Sequence, residues 1–264
     1  MDSLPDEVLD HIIGFLPFKS KFVISSVCKR WKESAEQSIP KQKRLMVSSY
    51  PPMAPTQGYV DVHSQNRRQM IRVWNSLMKL DKLIWLDIRL RYKVEGCAAI
   101  SKHQLVNLIK SNAPTLQFVR LSVKGLEGKT FEWVKTVPLP QLKMLLNCNA
   151  SDLSFLVQHS PLLEVLINVM VTDQAMAVLA GLQHLRRLET VTREPAEVTT
   201  GSILFLLRGK SRHTLTTIVI GHVVRGRMRY EYSMQTINRE LDNIHGETGG
   251  RPNVSLVNVY TDRL

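Results

Sequence analysis

The first apolar positions of the chain follow the spacing of an amphipathic helix. Residues 8, 9, 12, 13 and 16 are Val, Leu, Ile, Ile and Leu, which places them on one helical face. Pro5 suits the first turn of such a helix, and Asp6 and Glu7 favour its positive end. Ser3 or Leu4 is expected at the N-cap.

Two further short helices are predicted before residue 40. Pro17 ends the first helix, and Ser20 is expected to cap the second. Cys28 leads into a third helix, which ends before Pro40. Forty residues cannot bury all these apolar side chains against one another, so the rest of the chain or a partner must cover them. The excess of apolar surface therefore predicts a docking module.

A different pattern recurs after residue 40. In seven segments a leucine, or a valine in the last, is followed three residues later by a second apolar residue; they start at residues 83, 116, 142, 163, 185, 215 and 254. Helical patterns lie between them, such as the capping box of Ser101 and Gln104. Alternation of strand and helix at this spacing is typical of a leucine-rich repeat array, whose period is roughly 20–29 residues.

The N-terminal module resembles an F-box. The resemblance rests on the opening Leu4-Pro5-Asp6-Glu7-Val8-Leu9 and the closing Val27-Cys28-Lys29-Arg30-Trp31, in order and without a gap. It implies a three-helix unit that docks on a Skp-family adaptor, which joins it to a cullin–RING ubiquitin ligase. It also implies the residues that make or support the adaptor contact: Leu4, Pro5, Val8, Ile12, Leu16, Val27, Cys28 and Trp31.

The remainder of the chain resembles the irregular leucine-rich repeats that follow an F-box in many substrate receptors. The predicted fold class is α/β: a three-helix F-box at residues 1–40, then a curved leucine-rich-repeat solenoid with parallel strands at 41–264. Each repeat needs its neighbours to cover its apolar sides. An α/β sandwich with the same alternation of strand and helix is the alternative.

Two segments interrupt the repeats. Residues 48–66 are rich in Pro and Gly and are predicted to be an inserted loop. Residues 221–253 form a second insertion, with arginines at 225, 227 and 229 that line either a solvated strand edge or a contact surface. Asn147 and Asn168 fall where the strand pattern expects an inward apolar residue. Two strand registers, one residue apart, are therefore considered at these positions.

Each strand is expected to have an inward and a concave side. The predicted inward, buried residues are Leu86, Ile88, Val119, Leu121, Leu145, Leu166, Leu188, Ile218, Ile220 and Val257. The predicted substrate-contacting residues between them are Asp87, Arg89, Arg120, Leu146, Ile167, Glu189, Val219, Asn258 and Tyr260. Because exposed charges contribute little to stability, reversal of Arg89 and Arg120 is expected to weaken substrate capture without loss of the fold.

Charge and composition narrow the choice of partner. The formal net charge is +12, and residues 1–40 carry five Lys and Arg against six Asp and Glu, so the basic excess lies beyond them. A basic body favours an acidic partner or a nucleic acid. Aromatic residues make up 6% of the chain, which is few for base-stacking platforms. Nucleic-acid binding is therefore the lesser alternative.

Membrane insertion and secretion are not expected. No apolar stretch approaches the ~20 residues of a membrane span, and the N-terminus opens on acidic residues instead of a signal peptide. The three cysteines, Cys28, Cys97 and Cys148, are predicted to be buried thiols of a reducing compartment. We expect a cytoplasmic or nuclear protein, or one present in both.

No motif for catalysis is present in the sequence. Gly209-Lys210-Ser211 matches the end of a phosphate-binding loop, but Leu204 stands where that loop requires its first glycine. The histidines are dispersed, and no metal site or cofactor is predicted. The expected function is that of a non-catalytic substrate-recognition subunit of a Skp–cullin–F-box ubiquitin ligase. An F-box scaffold outside a ligase is the other alternative, and the sequence does not specify the substrate or whether it must be phosphorylated.

Overall fold

The chain folds into two compact units of mixed α/β structure. The computed structural model describes residues 4–16, 18–39, 43–48, 59–61, 67–90, 101–123, 136–148, 150–192, 198–224, 234–245 and 253–260. Unit 1 is Met1–Val137 and unit 2 is Pro138–Leu264. The predicted domain boundary at residue 40 is not tested by this division and stays a prediction.

Unit 1 begins with the three expected helices. They are α1 (Asp6–Phe15), α2 (Phe18–Ile24) and α3 (Lys29–Ser38). Pro5 occupies the N-cap position of α1 in place of the expected Leu4 or Ser3, and no side chain caps this helix. The expectation for Ser20 is wrong, because α2 begins at Phe18 and Ser20 lies inside it.

The strands of unit 1 are all parallel and follow the order β2-β1-β3-β4. They are β1 (Arg44–Ser48), β2 (Tyr59–Asp61), β3 (Trp85–Leu90) and β4 (Phe118–Val123). Helix α4 (Arg67–Leu77) precedes β3, and α5 (Lys102–Asn112) connects β3 to β4. The capping box of Ser101 and Gln104 at the start of α5 is confirmed.

Strand β2 corrects the prediction of an inserted loop over residues 48–66. Its three residues pair in parallel with β1, with Val60 opposite Val47. Both valines are buried, at 3% and 0% exposure, and this burial fixes a strand too short to show a periodic pattern.

The strands of unit 2 are also parallel, in the order β5-β6-β7-β8-β9. They are β5 (Met144–Cys148), β6 (Val165–Met170), β7 (Arg187–Thr192), β8 (Thr217–Val224) and β9 (Asn253–Tyr260). The helices between them are α6 (Ala150–His159), α7 (Asp173–Leu179), α8 (Thr200–Leu207) and α9 (Met234–His245). The predicted insertion at 221–253 therefore contains the end of β8 and all of α9, while Arg225, Arg227 and Arg229 lie outside the described residues.

The residues just before the strands share a pattern of burial and backbone hydrogen bonds in both units. The leucines that open the predicted segments, at 83, 116, 142, 163, 185 and 215, are at most 1% exposed, and each strand begins two residues later. Just after such a leucine, two consecutive backbone N–H groups donate to one carbonyl of the preceding segment. Gln117 and Phe118 donate to Ile84, and Thr216 and Thr217 donate to Arg186. The predicted strand segments are therefore confirmed, with six starts shifted by two positions, while β9 begins at Asn253, one residue before its predicted start at 254.

The inward row is buried as predicted. Leu86, Ile88, Val119, Leu121, Leu145, Leu166, Leu188, Ile218 and Ile220 are at most 2% exposed. The side chain of Val257 lies outside the described part of the chain.

A left-handed residue in each of two neighbouring strands explains the two asparagines at inward positions. Asn147 and Asn168 have left-handed backbone conformations, with φ of 63° and 56°. The Asn168 amide donates to Asn147 Oδ1 at 2.6 Å, and the register of β6 on β7 shifts at this point. The extra residue at this bulge re-aims β6, and Cys148 and Val169 occupy the buried positions instead.

Candidate functional site

The three N-terminal helices pack around a small apolar core. Leu9 and Ile13 of α1 are buried together with Ala35 of α3. Leu16, Ile24 and Trp31 pack against this core and remain partly exposed. Among its described side chains, the module thus buries only a few of the apolar ones.

Polar contacts fix α1 on α3. Arg30 of α3 donates through Nε to Asp6 Oδ1 at 2.7 Å, and its guanidinium also binds the Leu4 carbonyl. The Ser34 hydroxyl donates to the Asp10 carboxylate. These contacts set which face of α1 packs against α3 and which face is left uncovered.

Lys21 connects α2 to the end of α1. Its side chain is 2% exposed, and Nζ donates to the Gly14 carbonyl at 3.4 Å. Burial lowers the pKa of the Lys21 ammonium. Carbonyl groups at the C-terminal end of a helix carry partial negative charge, which favours a cation at this position.

The uncovered side of α1 carries a row of large apolar side chains. Val8, Ile12 and Phe15 are 42%, 44% and 66% exposed. Their spacing of four and three residues places them on one face of the helix, and we call them the apolar row. Val23 in α2 and Val27 in the following turn are 61% and 63% exposed. Exposed apolar groups concentrated in this way mark an interaction surface.

The predicted adaptor residues divide into two groups. Pro5, Val8, Ile12, Val27 and Cys28 are exposed. Leu4, Leu16 and Trp31 are half-buried, so they expose part of their surface while supporting the module. Contact of any of them with an adaptor stays a prediction.

Sequence reasoning missed two exposed residues of this module and misjudged one. Phe15 and Val23 were not among the predicted contacts, although Phe15 lies seven positions after Val8 and three after Ile12. Cys28 was expected to be a buried thiol but is exposed, because it precedes α3 and lies outside the helix core. Cys148 is buried as predicted, and Cys97 lies outside the described residues.

The predicted substrate residues of unit 1 form a charged cluster instead of a row of free side chains. Asp87 of β3 is fully buried, and its carboxylate accepts hydrogen bonds from Arg89 Nε at 2.9 and 3.1 Å and from Arg89 Nη2 at 2.5 Å. This hydrogen bond raises the pKa of Arg89. Arg120 of β4 lies opposite Asp87 in register. Burial, with the nearby charge of Arg89, lowers the pKa of Arg120, although Asp87 opposes the shift.

The expectation that these charges are freely exposed is therefore wrong. Arg89 and Arg120 are half-buried, and the paired Arg89 neutralises a carboxylate that burial would otherwise destabilise. Arg120 Nε is buried and has no hydrogen-bond partner among the described residues. Reversal of Arg89 would place two carboxylates together, so the double reversal perturbs the fold as well as the surface.

An aromatic pair lies beside this cluster on the same side of the strands. Trp85 and Phe118 are partners in register and stack with ring centroids 3.4 Å apart and planes 7° apart. The Arg44 guanidinium lies over the Trp85 ring at 5.9 Å from its centroid. Sequence reasoning did not identify Trp85, Phe118 or Arg44, because each also fits the ordinary pattern of a strand.

Three of the four predicted substrate residues of unit 2 whose side chains the structure describes are half-buried. Ile167, Glu189 and Val219 are of this kind, whereas Leu146 is buried at 8% exposure, beside Ile167 in register. Glu189 lies opposite Val219 and accepts a hydrogen bond from Arg187 Nε at 2.6 Å. The side chains of Asn258 and Tyr260, both in β9, lie outside the described part of the chain. Substrate contact by this face stays a prediction.

None of the helices in the described ranges combines the length and the apolar character that a membrane crossing requires.

Comparison with known proteins characterises residues 1–43 of the chain. No curated protein matches the chain. Among solved structures, the arginine decarboxylase of Paramecium bursaria Chlorella virus aligns with 90% of this chain and 62% of its own length, at 8% sequence identity and a TM-score of 0.24. Similarity at that level does not establish a common fold. Residues 1–43 match the family model of the F-box domain, so an F-box domain is present at the N-terminus of this chain.

Proposed function

We propose that this protein is the substrate-recognition subunit of a Skp–cullin–F-box ubiquitin ligase. The F-box match supports adaptor docking, and the observation that carries the proposal is the exposed apolar row of α1. In this role the chain itself is non-catalytic: it brings a target protein to a ligase whose catalytic parts are on other subunits.

The adaptor covers the apolar row in this proposal. Val8, Ile12 and Phe15 project from a helix that Arg30 and Ser34 hold on α3, so the row is preorganised. Aromatic and aliphatic anchors of this type dominate the energetics of protein interfaces. Val23 and Val27 extend the apolar surface into the second helix and its turn.

Co-purification with a Skp-family adaptor tests this docking. The wild-type chain is expected to capture the co-expressed adaptor, and Val8→Asp with Phe15→Asp is expected to abolish capture, because both carboxylates would be buried unpaired in the interface. Ile71→Asp is the control, since Ile71 of α4 is 46% exposed but lies outside the F-box. Failure of the wild type to capture the adaptor would contradict the proposal, as would equal capture by all three proteins.

We further propose that residues 41–264 are an irregular leucine-rich-repeat solenoid that binds the substrate. The support is the recurrence of one strand-entry geometry, the buried leucine at each entry and the parallel pairing of successive strands. The proposed substrate face is the one that carries Ile167, Glu189 and Val219, since these side chains are neither fully buried nor part of the inward row.

Comparison of ubiquitinated peptides between cell lines tests the substrate face. Proteins that lose ubiquitin in cells expressing Val8→Asp with Phe15→Asp are candidate substrates. The same proteins are expected to lose ubiquitin with Ile167→Arg and Val219→Arg, which leave the F-box intact. Continued ubiquitination of every candidate in the second variant would contradict this face. Capture of the adaptor without a cullin would favour a scaffold outside the ligase.

A further inference from the structure

The turn that follows α8 in unit 2 concentrates basic side chains beside an open groove. Arg208, Lys210, Arg212 and His213 lie within six residues, and all four line a groove of about 1060 Å³. Within the described residues, its lining contains no Asp or Glu. Residues 138–264 carry 13 Lys and Arg against 11 Asp and Glu, so the unit as a whole is close to neutral. The basic cluster is therefore a local concentration of positive charge.

The backbone of this turn is held in place. A Cβ at Gly209 would lie 2.6 Å from the Ala180 carbonyl oxygen, so only glycine fits there. The Lys210 N–H donates to that same carbonyl at 2.9 Å, and the Arg212 N–H donates to the Gly209 carbonyl at 3.2 Å. The basic side chains are therefore presented from a fixed backbone, which lowers the entropic cost of binding a partner.

The groove also offers one apolar contact. Phe205 of α8 is 57% exposed and lines the groove next to the basic turn. Its neighbours along α8, Ile203, Leu206 and Leu207, are at most 1% exposed and Leu204 is half-buried, so Phe205 is the exposed large apolar side chain of this helix. An exposed aromatic ring beside the cations of Lys210 and Arg212 fits a ligand that carries both an apolar group and negative charge.

The charges favour a peptide over a nucleic acid. Arg208 is already paired with Glu240 of α9 through a contact of 2.6 Å, so a carboxylate lies just beyond the cations. A continuous phosphate backbone would be repelled there, whereas a short peptide can confine its acidic residues to Lys210 and Arg212. The cluster is also compact and does not form the extended basic track that single-stranded nucleic acids follow.

We propose that this groove binds a short acidic segment of a partner protein, with carboxylates at Lys210 and Arg212 and an apolar side chain against Phe205. The inference does not depend on adaptor docking, because every residue that carries it lies in unit 2.

Fluorescence anisotropy with the purified full chain tests the proposal. The probe is a short labelled peptide with glutamates around a central phenylalanine, and the comparison probes are its glutamine counterpart and a labelled oligothymidine of equal length. Lys210→Glu with Arg212→Glu is expected to weaken binding of the acidic peptide by about tenfold or more, and Phe205→Ala by roughly fivefold. The control Lys82→Glu with Lys110→Glu, at exposed positions of unit 1, is expected to change it by less than about twofold.

Each outcome decides the proposal. Selective binding of the acidic peptide, lost in the two groove variants and kept in the control, supports it; thermal melts confirm that all variants are folded. Absence of binding to the wild type overturns it, as does equal weakening by the control pair. Tighter binding of the oligothymidine, with loss in the groove variants, overturns it in favour of a nucleic-acid site.

Discussion

The helical module and the strands differ in how far their apolar side chains are exposed to solvent. Residues 4–39 bury Leu9, Ile13 and Ala35 as their core, yet leave five large apolar side chains more than two-fifths exposed. Among the other described residues, only Ile71 and Phe205 are exposed large apolar side chains. The leucines that open the strand segments are buried without exception.

The difference follows from how each region is built. A strand that is paired on both sides, within a layer that also carries helices, has neighbours to cover its apolar face, as in repeat architectures. Three short helices have fewer such neighbours, although α2 contacts β2, so part of their apolar surface must remain uncovered or meet a partner. The following changes test, in order of expected size, whether this contrast marks the F-box as the docking surface.

Truncation of the inward row is expected to have the largest effect on stability. Leu188 of β7 is fully buried between Leu166 and Ile218 in register, so Leu188→Ala should cost about 2–5 kcal/mol of unfolding free energy. Val8→Ala removes a similar side chain from the apolar row and should change stability by less than about 0.5 kcal/mol. Urea unfolding of both variants measures this difference, and equal losses would erase the contrast.

Removal of the partner of a buried charge should have the next largest effect. Arg89→Met keeps the length of the side chain but leaves the Asp87 carboxylate without its two-point contact, at a cost of about 1.5–3 kcal/mol. Arg120→Met is the control, because the Nε atom of Arg120 has no partner among the described residues, and we expect less than about 1 kcal/mol. A larger loss in the control would show that Arg120, and not Arg89, stabilises this cluster.

The smallest difference in stability is expected between variants of two buried polar residues, Asn112 and Ser211. Asn112 precedes Leu116 by four residues, and it accepts from the Leu83 N–H and donates to the Leu80 carbonyl, both at 2.7 Å. Asn112→Ala should cost about 1–3 kcal/mol because the Leu83 N–H loses this acceptor and the Leu80 carbonyl is left with the Ser111 hydroxyl, at 3.3 Å.

Ser211 has the same position relative to Leu215, but its buried hydroxyl has no partner among the described residues. Ser211→Ala should therefore leave the unfolding midpoint unchanged or raise it slightly. A marked destabilisation would mean that the hydroxyl has a partner, such as a bound water.

The sequence was most informative where burial follows a simple period. Leu116 and Leu215 mark strand entries because a leucine there is always covered, and the capping box at Ser101 is a local hydrogen-bond pattern that needs no tertiary context. The F-box could be identified for a similar reason, since its two ends have distinctive residues at fixed spacing.

The sequence-based predictions fail where contacts with residues from other parts of the chain determine the local structure. β2 has three residues and depends on its pairing with β1, which the chain order alone does not reveal. Asp87 lies between the inward residues Leu86 and Ile88, as the strand alternation predicts. Its burial, however, depends on the contact with Arg89, two positions along the same strand. The left-handed conformation of Asn147 depends equally on the amide of Asn168 in the next strand.

Isothermal calorimetry of two isoleucine variants with a purified Skp-family adaptor tests the central claim most directly. Ile12 and Ile71 are 44% and 46% exposed, on α1 and α4, so Ile12→Ala and Ile71→Ala delete nearly equal surfaces inside and outside the apolar row. We predict that Ile12→Ala raises the Kd by about tenfold, because burial of an aliphatic side chain contributes about 1.5–3 kcal/mol, whereas Ile71→Ala leaves the Kd unchanged. Equal Kd values for both variants, or no binding of the wild type, would contradict the assignment of the F-box as the docking surface.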